Sequence, residues 1–405
     1  MTGDNAIHDV LLTQRFLPEY GGSIRWMYEC YRRWSGPVDV ITHNYYDNPP
    51  RTPEFFGRPP RPASGDDVPD INLQVDRRDI FLHDWGLQSW GNIKRYWQMT
   101  RAVRERFGDH GRLRVHCTHV VPEVFSLIPL KWQFGRRLTI ICYAHGEEIS
   151  ACCSSKQLRF MLRAGYRQVD LLIANSQNTA DMAREHIEPS KIHVINPGVD
   201  LAEFGAAAEA GSRWRHEQGF DDKLIVLTVG RLDPRKNHMA VINAVAAMTD
   251  RFENLLYVIA GEGREEERLQ AQVNELGIAQ HVRMIGPLHQ KMRPCLYGAC
   301  DVFAMPAIRD GTDIEGFGIV FLEAAACGKP VVAGCEGGQV EAVDDGHTGL
   351  IVDGSDLAAV SRALGSLLAD ASLRQQLGRQ GQHKARNHDW AQVVQRTTKL
   401  VETVS

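Results

Sequence analysis

Leu224-Ile225-Val226-Leu227-Thr228-Val229 is a short β-prone run, and Gly230-Arg231-Leu232-Asp233-Pro234-Arg235-Lys236-Asn237 follows it directly. A nearly continuous apolar run of this length suits a strand buried on both faces of a parallel sheet. Gly230 lets the chain turn, and Asn237 stands where it can cap the helical pattern Asn237–Met248. Strand, turn and helix in that order form one α/β unit.

The same unit recurs outward in both directions. Upstream, strands are expected at Val10–Thr13, Val38–Thr42, Leu138–Ala144, Leu171–Asn175 and Lys191–Ile195. Downstream they are expected at Leu255–Ala260, Val282–Ile285, Val302–Met305 and Val331–Ala333. Helical patterns fall between them at Ile24–Trp34, Gln157–Gln168, Glu265–Leu276 and Val320–Cys327. The pattern predicts two Rossmann-like α/β domains, and 405 residues are too many for one ordinary core. Residues 1–200 are assigned to the first domain and 201–387 to the second. Ala206–Gly211 is weakly patterned, the tail from Leu357 reads as three helices, and Asn48–Asp70 reads as a long surface loop.

Composition narrows the function classes. With a net charge of −4, the chain is not a strongly basic nucleic-acid binder, and no nucleic-acid partner is expected. No apolar stretch approaches membrane-spanning length, and no secretion signal is seen, so a cytoplasmic chain is expected. The nine cysteines include no CxxC pair and no zinc spacing. Charge is uneven, however: Trp90–Asp170 holds 14 Lys/Arg against 6 Asp/Glu. That excess suits either a solvated face or a surface for anionic lipid or an anionic acceptor, so peripheral contact with the inner membrane face is expected.

In open α/β sheets, ligands bind beyond the carboxyl ends of the strands. After Val229 come Gly230, Arg231 and Lys236, a turn with cations suited to a diphosphate. After Met305 comes Asp310-Gly-Thr-Asp-Ile-Glu315-Gly316-Phe317-Gly318-Ile319, then an apolar helix carrying Glu323. The N–H groups of Gly316, Phe317, Gly318 and Ile319 stand at a helix start, where phosphate or sugar oxygens bind. A carboxylate such as Glu323 in an apolar helix needs partners: two ribose hydroxyls, or a nearby Lys or Arg. Gly21-Gly22 follows the first strand and permits close approach of a ligand. His145, after Ala144, is a candidate polar contact or proton-transfer group beside Glu147 and Glu148. Gly261-Glu262-Gly263 mimics a dinucleotide turn, but the following acids would repel a phosphate. No GxGxxG, GxxxxGK[ST] or HExxH is present.

Taken together, these residues resemble the family 4 retaining glycosyltransferases (glycosyl transferases group 1), which include bacterial GDP-mannose-dependent mannosyltransferases and sucrose-phosphate synthase. The match lies at Glu315–Glu323, a Glu-x7-Glu signature, at Gly230-Arg231 with Lys236, and at Phe16-Leu-Pro-Glu-Tyr-Gly-Gly22. It continues at Ala174-Asn175-Ser176 and Val194–Asp200. The resemblance implies the GT-B fold, with an N-terminal acceptor domain and a C-terminal donor domain facing across a cleft. The last helix, about 388–405, would return to the first domain. It further implies transfer of a hexose from a nucleotide sugar to a glycan, lipid-linked or small-molecule hydroxyl, with retention and without metal or other cofactor. By resemblance, Arg231 and Lys236 would stabilise the leaving diphosphate, Glu315 would contact the sugar and Glu323 the ribose. The backbone at Met284 would meet the base, and His145 the sugar's 6-position. The Asp313-Ile-Glu-Gly-Phe-Gly318 segment favours GDP-mannose, with a UDP-sugar the other donor. His145-Gly-Glu-Glu departs from the runs of some members and leaves the role of Glu147 open. An epimerase of the same fold, or a non-catalytic sugar-nucleotide-binding protein, are the competing readings; product formation with donor alone would mark the first.

Overall fold

A computed structural model describes residues 7–19, 21–45, 72–108, 111–288 and 292–404. Tyr20 and the Asn48–Asp70 stretch lie outside the described residues. The chain divides into two units, Met1–Asn196 with Ala391–Ser405, and Pro197–Trp390.

The first unit holds a seven-stranded sheet: β1 (Ile7–Leu12), β2 (Val38–His43), β3 (Leu73–Arg78), β4 (Arg112–Cys117), β5 (Leu138–Ala144), β6 (Leu171–Ala174) and β7 (Ile192–Val194). Its order is β3-β2-β1-β4-β5-β6-β7, with every pair parallel. The second unit holds β8 (Leu224–Val229), β9 (Leu255–Ala260), β10 (Val282–Met284), β11 (Val302–Met305), β12 (Val331–Gly334) and β13 (Gly349–Val352). Its order is β10-β9-β8-β11-β12-β13, again all parallel. Both sheets therefore share one doubly wound pattern. The strand order reverses between β1 and β4 in one, and between β8 and β11 in the other. Those two places are the topological switch points.

Alternate residues of each second-unit strand enter different cores. Ile225 and Leu227 join Phe303, Met305 and Phe321 on one face. Val226 joins Tyr257, Ile259, Val302 and Ala304 on the other. This double burial explains why these strands carry no polar alternation. The tail is three helices, Leu357–Ala369, Ala371–Arg386 and Trp390–Glu402.

Three strands lie outside those expected from sequence, and of these β13, Gly-Leu-Ile-Val, alone carries an apolar run. β3, Leu-Gln-Val-Asp-Arg-Arg, is a half-buried edge strand. β13 is four residues long and also lies at an edge. β4, Arg-Leu-Arg-Val-His-Cys, is central and nearly all buried. Its polar residues survive there because Asp9 of β1 satisfies them. Arg114 Nε and a terminal nitrogen reach the two Asp9 oxygens at 2.6 and 2.8 Å, and His116 Nε2 lies 2.9 Å from one of them. Burial pushes the Asp9 pKa up, but His116 and Arg114 outweigh it and hold the carboxyl well below the usual range. Ala206–Gly211 is also more ordered than its composition suggests, because Ala207–Gln218 is a helix.

Candidate functional site

The loops leaving β8 and β11 meet at the second unit's switch point. Pro234–Lys236 forms one 3-10 turn, and Asn237 follows with a left-handed backbone, φ 58°. Asn237 does not cap its helix as expected from sequence. Its amide instead donates to the carbonyls of Pro306, 3.0 Å, and Gly354, 2.8 Å. That tie fastens the β8 loop to the segment following β11. The Ile308 N–H adds a second tie by donating to the Arg235 carbonyl at 2.9 Å.

These ties bring Lys236 and Glu315 together. Lys236 Nζ lies 2.6 Å from Glu315 Oε2, and the Arg235 guanidinium donates to the same oxygen. Arg235 Nε also faces Asp313 at 3.0 Å. Burial pushes the Glu315 pKa up, but Lys236 and Arg235 outweigh it and hold the carboxyl at about 2. For Lys236, burial dominates and lowers its pKa from the ordinary value, with Glu315 opposing. An ammonium carries three N–H donors, and the bond to Glu315 takes one. Arg231 is more open and pairs with Asp233 at 3.0 Å. Its carbonyl accepts from His238 Nε2 at 3.2 Å. Burial pushes that imidazole's pKa down to about 4.

The neighbouring β9 loop explains the glycines of Gly261-Glu262-Gly263. A Cβ on Gly261 would overlap the carbonyl oxygen of Gly230, and one on Gly263 would collide with Leu232. These glycines serve close backbone packing against the β8 loop. Met284 ends the edge strand β10, and its neighbour Gly286 accepts from the Gly261 N–H at 2.8 Å.

Glu315 leads into the helix Ile319–Ala326 through Gly318, φ 87°. Among the described residues, no backbone carbonyl takes the N–H groups of Gly316, Phe317, Gly318 or Ile319. The Phe317 side chain belongs to the core. Glu323 is 1% exposed, and both its oxygens are engaged. Arg293 donates to one and the Tyr297 hydroxyl to the other, at 2.7 Å for the latter. Glu323 is thus tied to a nearby arginine, the second of the two arrangements open from sequence.

A different chemistry stands at the first unit's switch point. Thr13, after β1, and Thr118, after β4, share a hydroxyl contact at 3.0 Å. Glu123 Oε1 accepts from the Gln14 N–H and from the Thr118 hydroxyl, each at 3.1 Å. One strand over, His145 is packed edge-on against Trp26, with ring centroids 5.4 Å apart, and its ring lies 5.5 Å from that of His119. Burial pushes the His145 pKa down to about 3, and His119 adds to the shift. Its Nε2 is buried with no hydrogen-bond partner among the described residues. Of the two carboxylates after it, Glu148 is the buried one and Glu147 is exposed. Glu148 accepts from the His145 N–H at 2.9 Å, and burial pushes its pKa up to about 7. Gly22 opens the helix Gly22–Tyr31, and a Cβ there would meet nothing within 4 Å. Gly21, with φ 169°, is extended backbone open to any residue. Among the described residues, packing requires neither glycine.

The structure therefore joins Lys236 to Glu315, places Arg231 in the same loop and Gly316–Ile319 just beyond, and gives Glu323 its own partners. His145, Gly21 and Gly22 belong to the first unit. Arg235 was passed over as a site residue in the sequence, although it is the most buried cation of its loop. Its signal was the acid pair Asp313 and Glu315, two residues apart in the facing loop. Among the described residues, no cluster of three or more His, Cys, Asp or Glu is placed to hold a metal ion. No helix among them is long and apolar enough to cross a membrane.

Residues 212–384 match the family model described as glycosyl transferases group 1, and residues 20–203 match that of glycosyltransferase family 4. A GDP-mannose-dependent α-(1-6)-phosphatidylinositol monomannoside mannosyltransferase of Mycolicibacterium smegmatis is 35% identical over 286 residues, 70% of this chain and 74% of that protein. A D-inositol 3-phosphate glycosyltransferase of Salinispora tropica is 37% identical over 243 residues, 56% of this chain and 49% of that one. Among solved structures, Anabaena HepE in complex with UDP aligns with a TM-score of 0.77 at 18% identity, covering 98% of this chain and all of that one. A sucrose-phosphate synthase from Thermosynechococcus elongatus gives 0.77 at 19% identity, covering 98% and 99%.

Proposed function

Because the chain belongs to the family 4 glycosyltransferases of GT-B fold, with a group 1 module in its second unit, we propose that it moves a hexose with retention from a nucleotide sugar, GDP-mannose by preference. The acceptor is a hydroxyl of a lipid-linked glycan or polyol, which puts the enzyme at the inner membrane face. The relatives named above support both choices through the donor and the inositol-containing acceptors in their names.

One observation carries the reading: the 2.6 Å pair of Lys236 with Glu315 across the second switch point, ahead of four N–H groups at a helix start. Cleaving a sugar–diphosphate bond leaves negative charge on the phosphate oxygen. Lys236, Arg231 and the N–H groups of Gly316–Ile319 stabilise that charge without reorganising, because Glu315 and the loop ties already fix the ammonium. Glu315 has a second oxygen with which to take a sugar hydroxyl. Glu323, already bonded, retains acceptor lone pairs for a ribose hydroxyl. The backbone at Met284 faces the base. In the first unit, the open Gly21-Gly22 turn and His145 Nε2 are offered to substrate. Neutral His145 acts as a hydrogen-bonding group rather than a cation.

A thermal-shift panel of nucleotides and nucleotide sugars tests this directly, since a ligand that binds the native state raises its melting temperature. GDP and GDP-mannose are expected to give the largest shifts, and mannosyl transfer to an inositol-containing acceptor is expected to survive chelator. Conversion of donor without acceptor, or strict dependence on Mg²⁺, would defeat the proposal.

A further inference from the structure

One face of the first unit's sheet is covered by three helices, Trp90–Arg106, Phe125–Phe134 and Lys156–Tyr166. Their inner residues, including Tyr96, Met99, Leu127, Leu130, Met161 and Leu162, share one core with the strands. Their outer sides therefore form one continuous surface. On the first helix that surface is the stripe Trp90, Ile93, Lys94, Trp97, Arg101 and Arg104, spaced at helical intervals and exposed throughout.

The aromatic content is the unusual part. Trp90 is 85% exposed, Trp97 59%, Trp132 76% and Phe160 68%. These are all the largely exposed aromatic side chains among the described residues, and each lies on one of the three helices. Tryptophan is mostly buried on average in folded proteins, so several on one face mark an interaction surface. Charge is equally concentrated. On the three helices Lys94, Arg101, Arg104, Lys156, Arg159 and Arg163 are exposed against one acid, Glu105, while Arg95, Arg106 and Lys131 are partly buried and pair with Asp79, Asp76 and Asp170, in a chain whose net charge is −4.

Aromatic and cationic residues are interleaved rather than sorted into an apolar centre and a polar rim. Arg101 lies over the Trp97 ring at 5.6 Å, within one stripe. This interleaving matches a lipid–water interface, where indole rings sit among headgroups while Arg and Lys stems extend to phosphates. A second copy of the chain fits poorly, since two such faces would bring like charge together. We propose that this three-helix face docks the chain on an anionic lipid bilayer. The inference deepens the lipid-acceptor reading, but its evidence and its test are independent of the donor site.

The full chain is mixed with vesicles of phosphatidylcholine, alone or doped with phosphatidylglycerol, and sedimented at low and high salt. Binding is expected only to the doped vesicles, with a blue shift of tryptophan emission, and salt should weaken it. Trp97→Ser with Trp132→Ser should weaken binding on the order of tenfold or more, and Arg101→Glu with Arg104→Glu should abolish it. Both variants should melt like the parent, and both should retain transfer to a water-soluble acceptor. The proposal fails if neither vesicle binds, if the Trp variant binds as well as the parent, or if it loses soluble-acceptor turnover to the same degree. A solution dimer dispersed by the Trp variant, without vesicle binding, would assign the face to a second copy and overturn it. Should no donor be found, the vesicle result stands by itself.

Discussion

The two switch points share a strand order but not a chemistry. At the second, three cations face three acids: Arg231 with Asp233, Arg235 with Asp313 and Glu315, Lys236 with Glu315. At the first, the buried acids Glu123 and Glu148 stand beside neutral His145, His119 at 3.5 Å from Glu123, and the hydroxyls of Thr13 and Thr118. Topology supplies the place, while the few residues after each strand decide what can bind there. A phosphate suits the second point, since its cations keep N–H donors beyond those given to the carboxylates. Hydroxyl-bearing substrate suits the first, which offers acceptors and a neutral imidazole. The second site's cations are also less bare than a sequence reading implies, because the acids across from them already hold them in position.

The sharpest attempt to break this contrast removes the shared acid. Glu315→Gln leaves Arg235 and Lys236 buried with their main counter-charge gone. Breaking a buried pair from one side costs about 3–5 kcal/mol, which denaturant unfolding would read. A loss under about 1 kcal/mol would mean that the cluster behaves as a solvated surface pair. Lys236→Ala is the complementary change. It should cost about 2–4 kcal/mol of transition-state stabilisation, like loss of another preorganised charge-stabilising donor, visible as a fall in kcat on the identified donor. Near-normal turnover would remove the second switch point from the chemistry.

Acid and base should pull the two regions in opposite directions. Glu315, held at about 2 in the folded chain, is protonated in the unfolded chain below the ordinary carboxyl value of 4.5. Its contribution is present above that value and lost as pH falls from about 4.5 through 2. Glu148 has its folded pKa raised to about 7, so the folded chain holds the proton longer than the unfolded one. Stability then falls as pH rises from about 4.5 through 7. Each shift corresponds to ~3 kcal/mol between its two limits. Hydrogen exchange followed across pH should show Glu148→Gln flattening the neutral-side loss around β5, and Glu315→Gln flattening the acid-side loss around β8 and β11. The same sign in both regions would contradict the contrast.

Much of this was legible in the sequence where a residue's partners are near it in the chain or are the apolar core itself. Continuous runs such as Leu138–Ala144 and Leu224–Val229 matched their strands residue for residue. The central strand β4 was hidden because its Arg114 and His116 are satisfied by Asp9, over a hundred positions away. Lys236 and Glu315 were both singled out, but nothing local shows that they bond to each other across some eighty positions. Arg235 is not singled out among the cations of its turn for the same reason. Asn237 reads as a helix cap because capping is local, whereas its bonds go to Pro306 and Gly354. Choosing between Glu147 and Glu148 needed the direction of the helix start, which adjacency alone does not give.

The smallest predicted effect separates support from binding within the second region. Tyr297 donates to Glu323 at 2.7 Å, deep in the helix that follows the open N–H groups of Gly316–Ile319. Tyr297→Phe keeps the ring, which packs against Phe204 and Phe303. It removes only the hydroxyl. A hydrogen bond to a charged group is worth ~2 kcal/mol, so the melting temperature should fall while the packing stays. Glu323 retains Arg293 on one oxygen but loses the tie on the other, so kcat should hold and KM for the donor should rise a few-fold as that oxygen loosens. A drop in stability with no change in KM would make Glu323 a purely structural acid. The nucleotide's grip in this region would then rest on the cation loop and the helix start alone.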